Sequence, residues 1–395
     1  MASSKQPGRY EKSTVSGEAV LTFIPDALPP PFKLSRTLQE QVRLAEQKLN
    51  RLELAGEMVP SLEWFIYAFV RKEAVLSSQI EGTQASLDDL LAYEAGAPAD
   101  KDEPHSDVEE VSNYLAALVY AREQLRSPKG LPLSTRLLNE THRRLMKGVR
   151  GSTRQPGELR RSQNWIGGTR PGNAAFVPPP PQELGRLLSD LEKYIHRQDE
   201  LSPLIRAALV HVQFETIHPY LDGNGRIGRL LITLLLEHWN QLSAPLLYLS
   251  LFFKRHRAEY YRLLNAVRRD GAWDAWISYF LEGISTISDE AADTARDLFV
   301  LVSRDRTRVL AAPNASVTAA RLLEQLPRHP MLTTPAAARL LDTSTPTASK
   351  AIGVLEQLEI LRESTGRRRD RTFTYARYLE ILRAGTDDGR NERAR

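Results

Sequence analysis

The chain is organised around one stretch of sequence, HPYLDGNGRIGR, which spans residues 218–229. Apolar segments lie on both sides of it, and the Asp-Gly-Asn-Gly run at 222–225 is turn chemistry that does not continue a helix. We therefore expect a helix from Pro203 to end near His218 and another to begin near Arg226. A helix N-terminus exposes unpaired N–H groups, and glycines let a phosphate approach them closely. The stretch predicts a helix–loop–helix unit with an anion-binding loop.

Four side chains of this stretch carry the chemistry. His218 is able to accept a proton from a hydroxyl near neutral pH. Asp222 offers a hard oxygen ligand to Mg²⁺, which takes its remaining ligands from water and phosphates. Arg226 and Arg229 are three residues apart, so they share a helix face and can bind phosphate oxygens. An Asp-Gly-Asn-Gly run alone is usually a plain turn, but with these neighbours it predicts transfer of part of a nucleoside triphosphate to a hydroxyl.

Length and composition exclude several classes of protein. A chain of 395 residues predicts two or three domains, and an excess of only four basic over acidic residues does not favour a polyanion partner for the whole chain. Because there is no cysteine, disulfides, thiolate metal ligands and cysteine nucleophiles are excluded. The first ten residues lack the apolar core of a signal peptide, and runs such as 230–236 are too short to span a membrane. We expect a cytoplasmic protein without a membrane partner.

Helical periodicity and breaks in composition divide the chain into segments. We expect a helix to begin at Pro60 and Gly82 to end it. From the N-terminus onwards, we expect a flexible arm over 1–35, a helical region over 36–130, a mainly helical catalytic core over 131–286, a linker helix over 287–313, a separate small unit over 314–384 and a disordered tail over 385–395.

The helical rhythm breaks between Gln163 and Pro181. Trp165-Ile166 and Phe176-Val177 flank two groups of turn residues, Gly167-Gly168 and Pro171-Gly172-Asn173, which is a hairpin pattern. The four prolines at 178–181 then form a stiff exit from the hairpin.

The C-terminal unit has its own pattern. Residues 334–341 and 346–358 read as two helices joined by a turn, and residues 360–362 and 372–375 read as two strands around a basic loop. This order predicts a winged helix. Residues 362–371 contain five arginines and two acidic residues, which gives a local charge of +3. This charge is compatible with binding of DNA phosphates, and equally with a solvated loop or a protein-docking surface. Lys350 and Ser349 are compatible with DNA contact, yet their neighbours offer little base readout.

The central stretch resembles the motif of the Fic (Fido) family, His-x-Phe-x-Asp/Glu-Gly-Asn-Gly-Arg-x-x-Arg, and departs from it only at Tyr220. We expect Tyr220 to replace the usual phenylalanine if its hydroxyl finds a partner. The segments before the hairpin, the hairpin itself and Tyr260-Tyr261 are also similar to this family, over roughly residues 40 to 285. The resemblance implies an all-α Fic core with a β-hairpin flap, to which the small C-terminal winged helix-turn-helix domain is added.

The activity that this resemblance implies is transfer of AMP from ATP to a Tyr, Thr or Ser hydroxyl of a target protein. His218 is then the general base, Asp222 the Mg²⁺ ligand and Arg229 the partner of the γ-phosphate, while the flap orients the target by strand pairing. The resemblance places these residues at the nucleotide: Glu81, Asn173, Ala174, Ala175, Phe176, His218, Asp222, Gly223, Asn224, Gly225, Arg226, Ile227, Gly228, Arg229, Tyr260 and Tyr261.

A second motif lies upstream, in the run from Ser77 to Gly82. Ser77 and Glu81 are four residues apart and share one helix face. On its own such a glutamate is most simply a solvated side chain. The run resembles the inhibitory Ser/Thr-x-x-x-Glu-Gly/Asn motif of the family, which implies that Glu81 pairs with Arg229 and takes the place of the γ-phosphate.

Two functions from different classes remain open at this point. The first is a self-inhibited protein adenylyltransferase whose C-terminal unit recruits a target, a second protomer or DNA. The second is a DNA-binding regulator whose core senses a nucleotide with little turnover. The complete motif favours the enzyme, because a pure sensor does not need His218. Self-modification and a homodimer are further predictions, and the sequence does not specify the target.

Overall fold

The computed structural model describes residues 7–57, 61–96, 105–149, 151–314, 316–367 and 370–386. These residues are predominantly helical. The helices are α1 (Arg36–Glu57), α2 (Leu62–Ile80), α3 (Leu87–Glu94), α4 (His105–Arg126), α5 (Thr135–Leu145), α6 (Leu184–His196), α7 (Pro203–Ile217), α8 (Asn224–His238), α9 (Ser250–Arg255), α10 (Arg257–Asp270), α11 (Trp273–Ala311), α12 (Val317–Gln325), α13 (Thr334–Leu341), α14 (Thr345–Gln357) and α15 (Ala376–Arg383). The strands are β1 (Gly8–Val15), β2 (Glu18–Pro25), β3 (Met331–Thr333), β4 (Arg362–Glu363) and β5 (Thr372–Thr374).

Helix α7 lies at the centre of the core. Its residues from Leu204 to Ile217 are all buried, and its N-terminus is capped by Ser202, whose Oγ accepts the backbone N–H of Leu204. A helix that is buried on all of its faces has a fixed position, because every turn packs against neighbouring elements. Both α8 and α11 pack against α7, and Trp276 of α11 donates its indole N–H to the carbonyl of Ala208 at 2.8 Å. The loop that follows α7 is thereby fixed in place.

Residues 8–25 do not form the flexible arm that was predicted over 1–35, of which residues 1–6 lie outside the described ranges. Strands β1 and β2 form an antiparallel hairpin through a turn at Ser16-Gly17, where both residues have positive φ. The composition of this segment hid an apolar face on β2, which includes Phe23 and Ile24. Phe23 donates its backbone N–H to the carbonyl of Val177 at 3.0 Å, so the hairpin is tied to the segment that leaves the flap.

Helix boundaries differ from the predictions in two other places. The predicted start at Pro60 lies outside the described residues, and α2 begins at Leu62 after Ser61. The predicted division between the core and a linker helix at 286/287 does not exist, because α11 runs unbroken from Trp273 to Ala311. Its buried side chains continue past the predicted boundary, so one helix serves both the core and the C-terminal unit.

The C-terminal unit contains the predicted helices and strands together with elements that the sequence did not indicate. Helices α13 and α14 match the predicted pair, and β5 lies within the second predicted strand. Strand β4 overlaps the first predicted strand only at Arg362, while α12, β3 and α15 were missed. The strands form an antiparallel sheet in the order β3-β5-β4. The unit is joined to α11 by a buried hydrogen bond from the Tyr375 hydroxyl to Asp305 Oδ2 at 2.9 Å.

The predicted tail and basic loop lie partly outside the described residues. Residues 387–395 and 368–369 are not described. The prediction of disorder from 385 is wrong for the first two residues of that range, because Thr386 is buried and its carbonyl accepts the Lys254 ammonium at 3.0 Å. Among the residues that the structure describes, we find no helix both long and apolar enough to cross a membrane.

Candidate active site

The loop between α7 and α8 has the conformation that its sequence predicts. His218 ends α7 with a left-handed backbone, at φ 49°, and Gly223 precedes α8 with φ 75°. Inside the loop, the Asn224 side chain accepts the backbone N–H of Tyr220 and donates to the Tyr220 carbonyl, both at 2.8 Å. Asn224 therefore closes the loop with its side chain, and the first N–H groups of α8 face outward from its N-terminus.

His218 is half-buried at the end of α7, with its backbone carbonyl bound by the Arg160 Nε at 2.9 Å. Burial, together with the nearby charges of Arg268 and Arg160, lowers the pKa of His218 to about 3. The imidazole is therefore neutral at physiological pH. A neutral imidazole is the form that accepts a proton, so His218 is in the protonation state that a general base requires.

Tyr220 finds the partner that its hydroxyl needs. The hydroxyl donates to Asn139 Oδ1 at 2.9 Å, and the ring stacks on His142 with centroids 3.9 Å apart. Gly157 donates its N–H to His142 Nδ1 at 2.8 Å, so His142 Nε2 carries the hydrogen and donates to the Asp222 carbonyl at 3.0 Å. Sequence reasoning missed His142 and Asn139, because both lie on α5, far along the chain from the loop.

Asp222 is the carboxylate of the loop that remains accessible. Its side chain is 41% exposed, and its Oδ1 accepts the backbone N–H of Gly223 at 2.6 Å. Within the described ranges no group of three or more His, Cys, Asp or Glu side chains gathers to hold a metal ion. One accessible carboxylate beside an anion-binding loop fits Mg²⁺ that takes its other ligands from phosphates and water.

Arg229 is held by the end of α2 at three points. Its guanidinium donates to Glu81 Oε1 at 2.8 Å, to the Ser77 hydroxyl at 2.9 Å and to the Ser77 carbonyl at 2.9 Å. Burial opposes the charge of Arg229, but the Glu81 carboxylate together with Tyr260, Tyr261 and Glu215 outweighs it, and the pKa of Arg229 is raised. A Cβ on Gly225 would lie 2.2 Å from Glu81 Oε1, so this glycine leaves room for the glutamate. The structure thus brings together the three residues of the predicted inhibitory contact.

Arg226 points to a different helix. Its guanidinium is buried and donates to Glu110 Oε2 of α4 at 3.3 Å, and it lies 3.7 Å from Asp222 Oδ1. The two arginines share a face of α8, as their spacing predicts, but each has its own acidic partner. Nothing in the sequence around Glu110 distinguishes it from the other glutamates of α4.

The remaining predicted nucleotide residues are divided between core and surface. Tyr260 is buried, and its hydroxyl donates to His211 Nε2 at 2.8 Å, while His211 Nδ1 donates to the Gly228 carbonyl at 3.0 Å. His211 is thus a hydrogen-bonded core residue. Tyr261 is half-buried, and the side chain of Ile227 lies wholly in the hydrophobic core, so only its backbone faces the loop.

The flap is present as a short hairpin over the predicted residues. Ile166 and Phe176 exchange two backbone hydrogen bonds, at 2.9 and 3.1 Å, and Asn173 closes the tip by accepting the N–H groups of Thr169 and Arg170 at 3.0 Å each. Ala174 and Ala175 follow on the returning arm. Phe176 is buried under the guanidinium of Arg268, 4.1 Å from the ring centroid, which anchors the flap to α10.

Comparison with protein families agrees with this geometry. The sequence model described as "Fic/DOC family" matches residues 132–236, and the model described as "Fic/DOC family N-terminal" matches residues 39–123. The chain is therefore similar to the Fic family over these two ranges. The Fic domain match includes the flap and the loop from His218 to Arg229, and the N-terminal match includes Glu81. Neither match reaches the β1–β2 hairpin or the C-terminal unit.

Curated relatives of the Fic domain include proteins named "Protein adenylyltransferase Fic". The relative from Drosophila erecta is 34% identical over 128 residues, which are 32% of this chain and 23% of the relative. The relative from Aedes aegypti is 29% identical over 239 residues, which are 58% of this chain and 45% of the relative. The chain therefore spans less than half the length of these relatives.

Solved structures with the same fold include two bacterial Fic proteins. A Fic family protein from Desulfovibrio desulfuricans G20 is 21% identical, with a TM-score of 0.56 over 88% of this chain and 98% of the other. A Fic domain containing signaling protein from Bacteroides thetaiotaomicron is 18% identical, with a TM-score of 0.51 over 65% of this chain and 95% of the other. At this identity the likeness concerns the fold alone.

Proposed function

We propose that this protein transfers AMP from ATP to a Tyr, Thr or Ser hydroxyl of a target protein, and that Glu81 holds it inactive. The observation that carries the proposal is the hydrogen-bonded pair of Glu81 with the last arginine of a complete Fic motif, at 2.8 Å. The names of the curated relatives support the transferase, whereas no observation favours the DNA-binding regulator.

The proposed transfer uses the residues of the α7–α8 loop. The backbone N–H groups of Gly223, Asn224 and Gly225 bind phosphate oxygens at the N-terminus of α8. His218 takes the proton of the target hydroxyl as its oxygen attacks the α-phosphorus of ATP. The bond from that phosphorus to the bridging oxygen breaks, and pyrophosphate leaves. Asp222 holds Mg²⁺, which neutralises charge on the phosphates when it is bound.

Autoinhibition follows from the contacts of Arg229. A γ-phosphate needs the guanidinium that now binds Glu81 and Ser77, so ATP enters with its phosphates out of line for attack. Moving the end of α2 away from Arg229 permits the reactive pose. The half-buried Tyr261 and the flap residues Asn173 to Phe176 are proposed to line the nucleotide site.

We propose that the enzyme binds its partners through two surfaces, the flap and the C-terminal unit. The flap presents backbone groups that pair with an extended segment of the target. The C-terminal unit is proposed to be a winged helix, because α12, β3, α13, α14, β4 and β5 follow the order of that fold. Self-modification, a homodimer, DNA on the C-terminal unit and a cytoplasmic location stay predictions.

The test is incorporation of α-labelled ATP, with Mg²⁺, into the chain itself and into proteins of an added cell extract. Glu81→Gly removes one strong, charge-assisted hydrogen bond from the closed state, so we expect label to rise by about tenfold or more. Adding His218→Ala to this variant is expected to lower the rate by about 10²- to 10⁴-fold. The matched control is Glu57→Gly, at the exposed end of α1, which should stay at the wild-type level.

Two outcomes would reject the proposed function. The first is a Glu81→Gly variant that folds and binds ATP but transfers no label. The second is label that persists at the same rate after His218→Ala, which would place the chemistry elsewhere.

A further inference from the structure

The inhibitory segment is attached to the nucleotide motif at a second place, beyond the Glu81–Arg229 pair. Gly82 has φ 98°, a conformation that strains any residue with a side chain, and it turns the chain towards α4 directly after Glu81. Thr83 is buried there, and its hydroxyl donates to Glu110 Oε2 at 3.0 Å. The next residue, Gln84, donates its backbone N–H to Asp107 Oδ2 at 2.6 Å. Helix α4 therefore binds the two residues that follow the turn.

The same carboxylate oxygen also binds the motif. Glu110 Oε2 accepts both the Thr83 hydroxyl and the Arg226 guanidinium, the latter at 3.3 Å. The side chains of Glu110 and Arg226 are 1% and 3% exposed. Inside a protein such contacts are strong, because little water competes for them, and an unpaired partner is costly. We call the two contacts that join Thr83, Glu110 and Arg226 the latch.

The latch reaches the reacting groups through Arg226. The guanidinium of Arg226 lies 3.7 Å from Asp222 Oδ1, and both residues belong to the loop and first turn of α8. A shift of the segment around Thr83 would therefore alter the contacts of Glu110, and through them the position of Arg226. Glu81 acts on one motif arginine and Thr83 acts, through Glu110, on the other.

We propose that Thr83 is a second inhibitory contact, which ties the segment after Glu81 to the nucleotide motif through Glu110, and that Glu110 is a positioning residue for Arg226 and Asp222. The proposal rests on the proposed function for its effect on activity. Release of inhibition then requires two separations, Glu81 from Arg229 and Thr83 from Glu110. Loss of the Thr83 hydroxyl should weaken the closed state, while the pair of Glu110 with Arg226 still forms and keeps the motif competent.

The test compares Thr83→Val, which keeps the shape of the side chain but removes the hydroxyl, with Thr83→Ser, which keeps the hydroxyl. A hydrogen bond to a charged group predicts that Thr83→Val raises AMP incorporation by roughly fivefold to tenfold. Thr83→Ser should remain at the wild-type level. In the Glu81→Gly background, where the segment is already released, Thr83→Val should add less than twofold.

The matched control is Thr374→Val, because Thr374 is a buried threonine of β5 whose hydroxyl donates to the Arg362 carbonyl at 3.2 Å, remote from the motif. The control should not change the label. Wild-type labelling in Thr83→Val, with active Glu81→Gly, would overturn the latch. An equal rise in both backgrounds would also overturn it, because the hydroxyl would then not act through inhibition.

A second measurement does not depend on activity. Hydrogen exchange of the amides of residues 81–84 should become several-fold faster in Thr83→Val and stay unchanged in Thr83→Ser and Thr374→Val. Unchanged exchange in Thr83→Val would overturn the latch even if no variant transfers AMP. Faster exchange with no label from Glu81→Gly would retain the latch and reject the proposed transferase.

Discussion

Two regions of this molecule are rich in arginine, and they carry their charges in opposite ways. In the motif, Arg226 and Arg229 are buried, and each is bound to a glutamate of another helix. In the C-terminal unit, Arg367 is exposed and the side chain of Arg371 is 44% exposed, with Glu356 at 3.5 Å. A buried charge needs a specific partner, whereas an exposed charge is satisfied by water.

This difference bears on how much function each region reveals. Because burial of an unpaired guanidinium is costly, the contacts of Arg229 identify what the site is built to bind, a carboxylate or a phosphate in one place. The exposed arginines of the C-terminal unit fit any anionic partner, because water solvates their charges and no specific protein partner is needed. The contacts in the motif therefore support a specific mechanism, whereas the arginines of the C-terminal unit indicate only that a partner would be anionic.

The largest expected effect separates the two regions by stability. Arg229→Ala removes a buried guanidinium and leaves three acceptors without their donor, so we expect the free energy of unfolding to fall by about 3 kcal/mol. Arg371→Ala should change it by less than about 0.5 kcal/mol. Urea denaturation measures both. A loss below about 1 kcal/mol for Arg229→Ala would mean that burial does not distinguish the regions.

A smaller effect concerns Glu73, a buried acid of α2. Burial raises the pKa of Glu73 to about 7, even though Ser250 donates to it from its backbone and side chain. The ordinary pKa of a glutamate is 4.5, so between pH 4.5 and 7 the folded chain binds a proton that the unfolded chain has lost. This contribution to stability is complete below pH 4.5 and is lost as the pH rises through 7.

The pH dependence of the difference in stability between wild type and Glu73→Gln isolates the contribution of Glu73, because all other groups titrate alike in both proteins. From pH 5 to pH 8 the stability of the wild type relative to Glu73→Gln should fall by about 2–3 kcal/mol, measured by denaturation at each pH. The exposed Glu109 offers a control, because Glu109→Gln should show no such trend. A constant difference between wild type and Glu73→Gln would contradict the predicted protonation.

The smallest effect on activity is expected in the C-terminal unit. Replacing Arg367 and Arg371 by Ala in the Glu81→Gly background should leave AMP incorporation within twofold, because neither residue approaches the motif. If the predicted DNA partner is correct, the full chain binds duplex DNA and the double replacement lowers the salt slope by about 2. A wild-type chain that does not bind duplex at low salt would remove DNA from the predicted partners.

Short-range features were predictable because their geometry depends on neighbours in the chain. The turn between α7 and α8, the common face of Ser77 and Glu81, and the flap all follow from residues within about twenty positions of one another. The N-terminal hairpin was also a local feature, with Ser16-Gly17 as its turn, but the Ser, Pro and Gly content of the segment obscured it. The continuity of α11 was missed because a domain boundary was predicted between residues 286 and 287. The helix continues through that point without a break.

The sequence by itself determined the helix–loop–helix around His218, the identity of the motif and the helical class of the fold, since each depends on spacing along the chain. The resemblance of the motifs already implied the pair of Glu81 with Arg229, whereas only the tertiary structure decided that Glu110 meets Arg226. It also decided that Asn139 and His142 support the loop. The partners in these last three contacts lie 80 to 116 residues apart in the sequence, where charge and periodicity do not distinguish one candidate from another, and packing selects the partner.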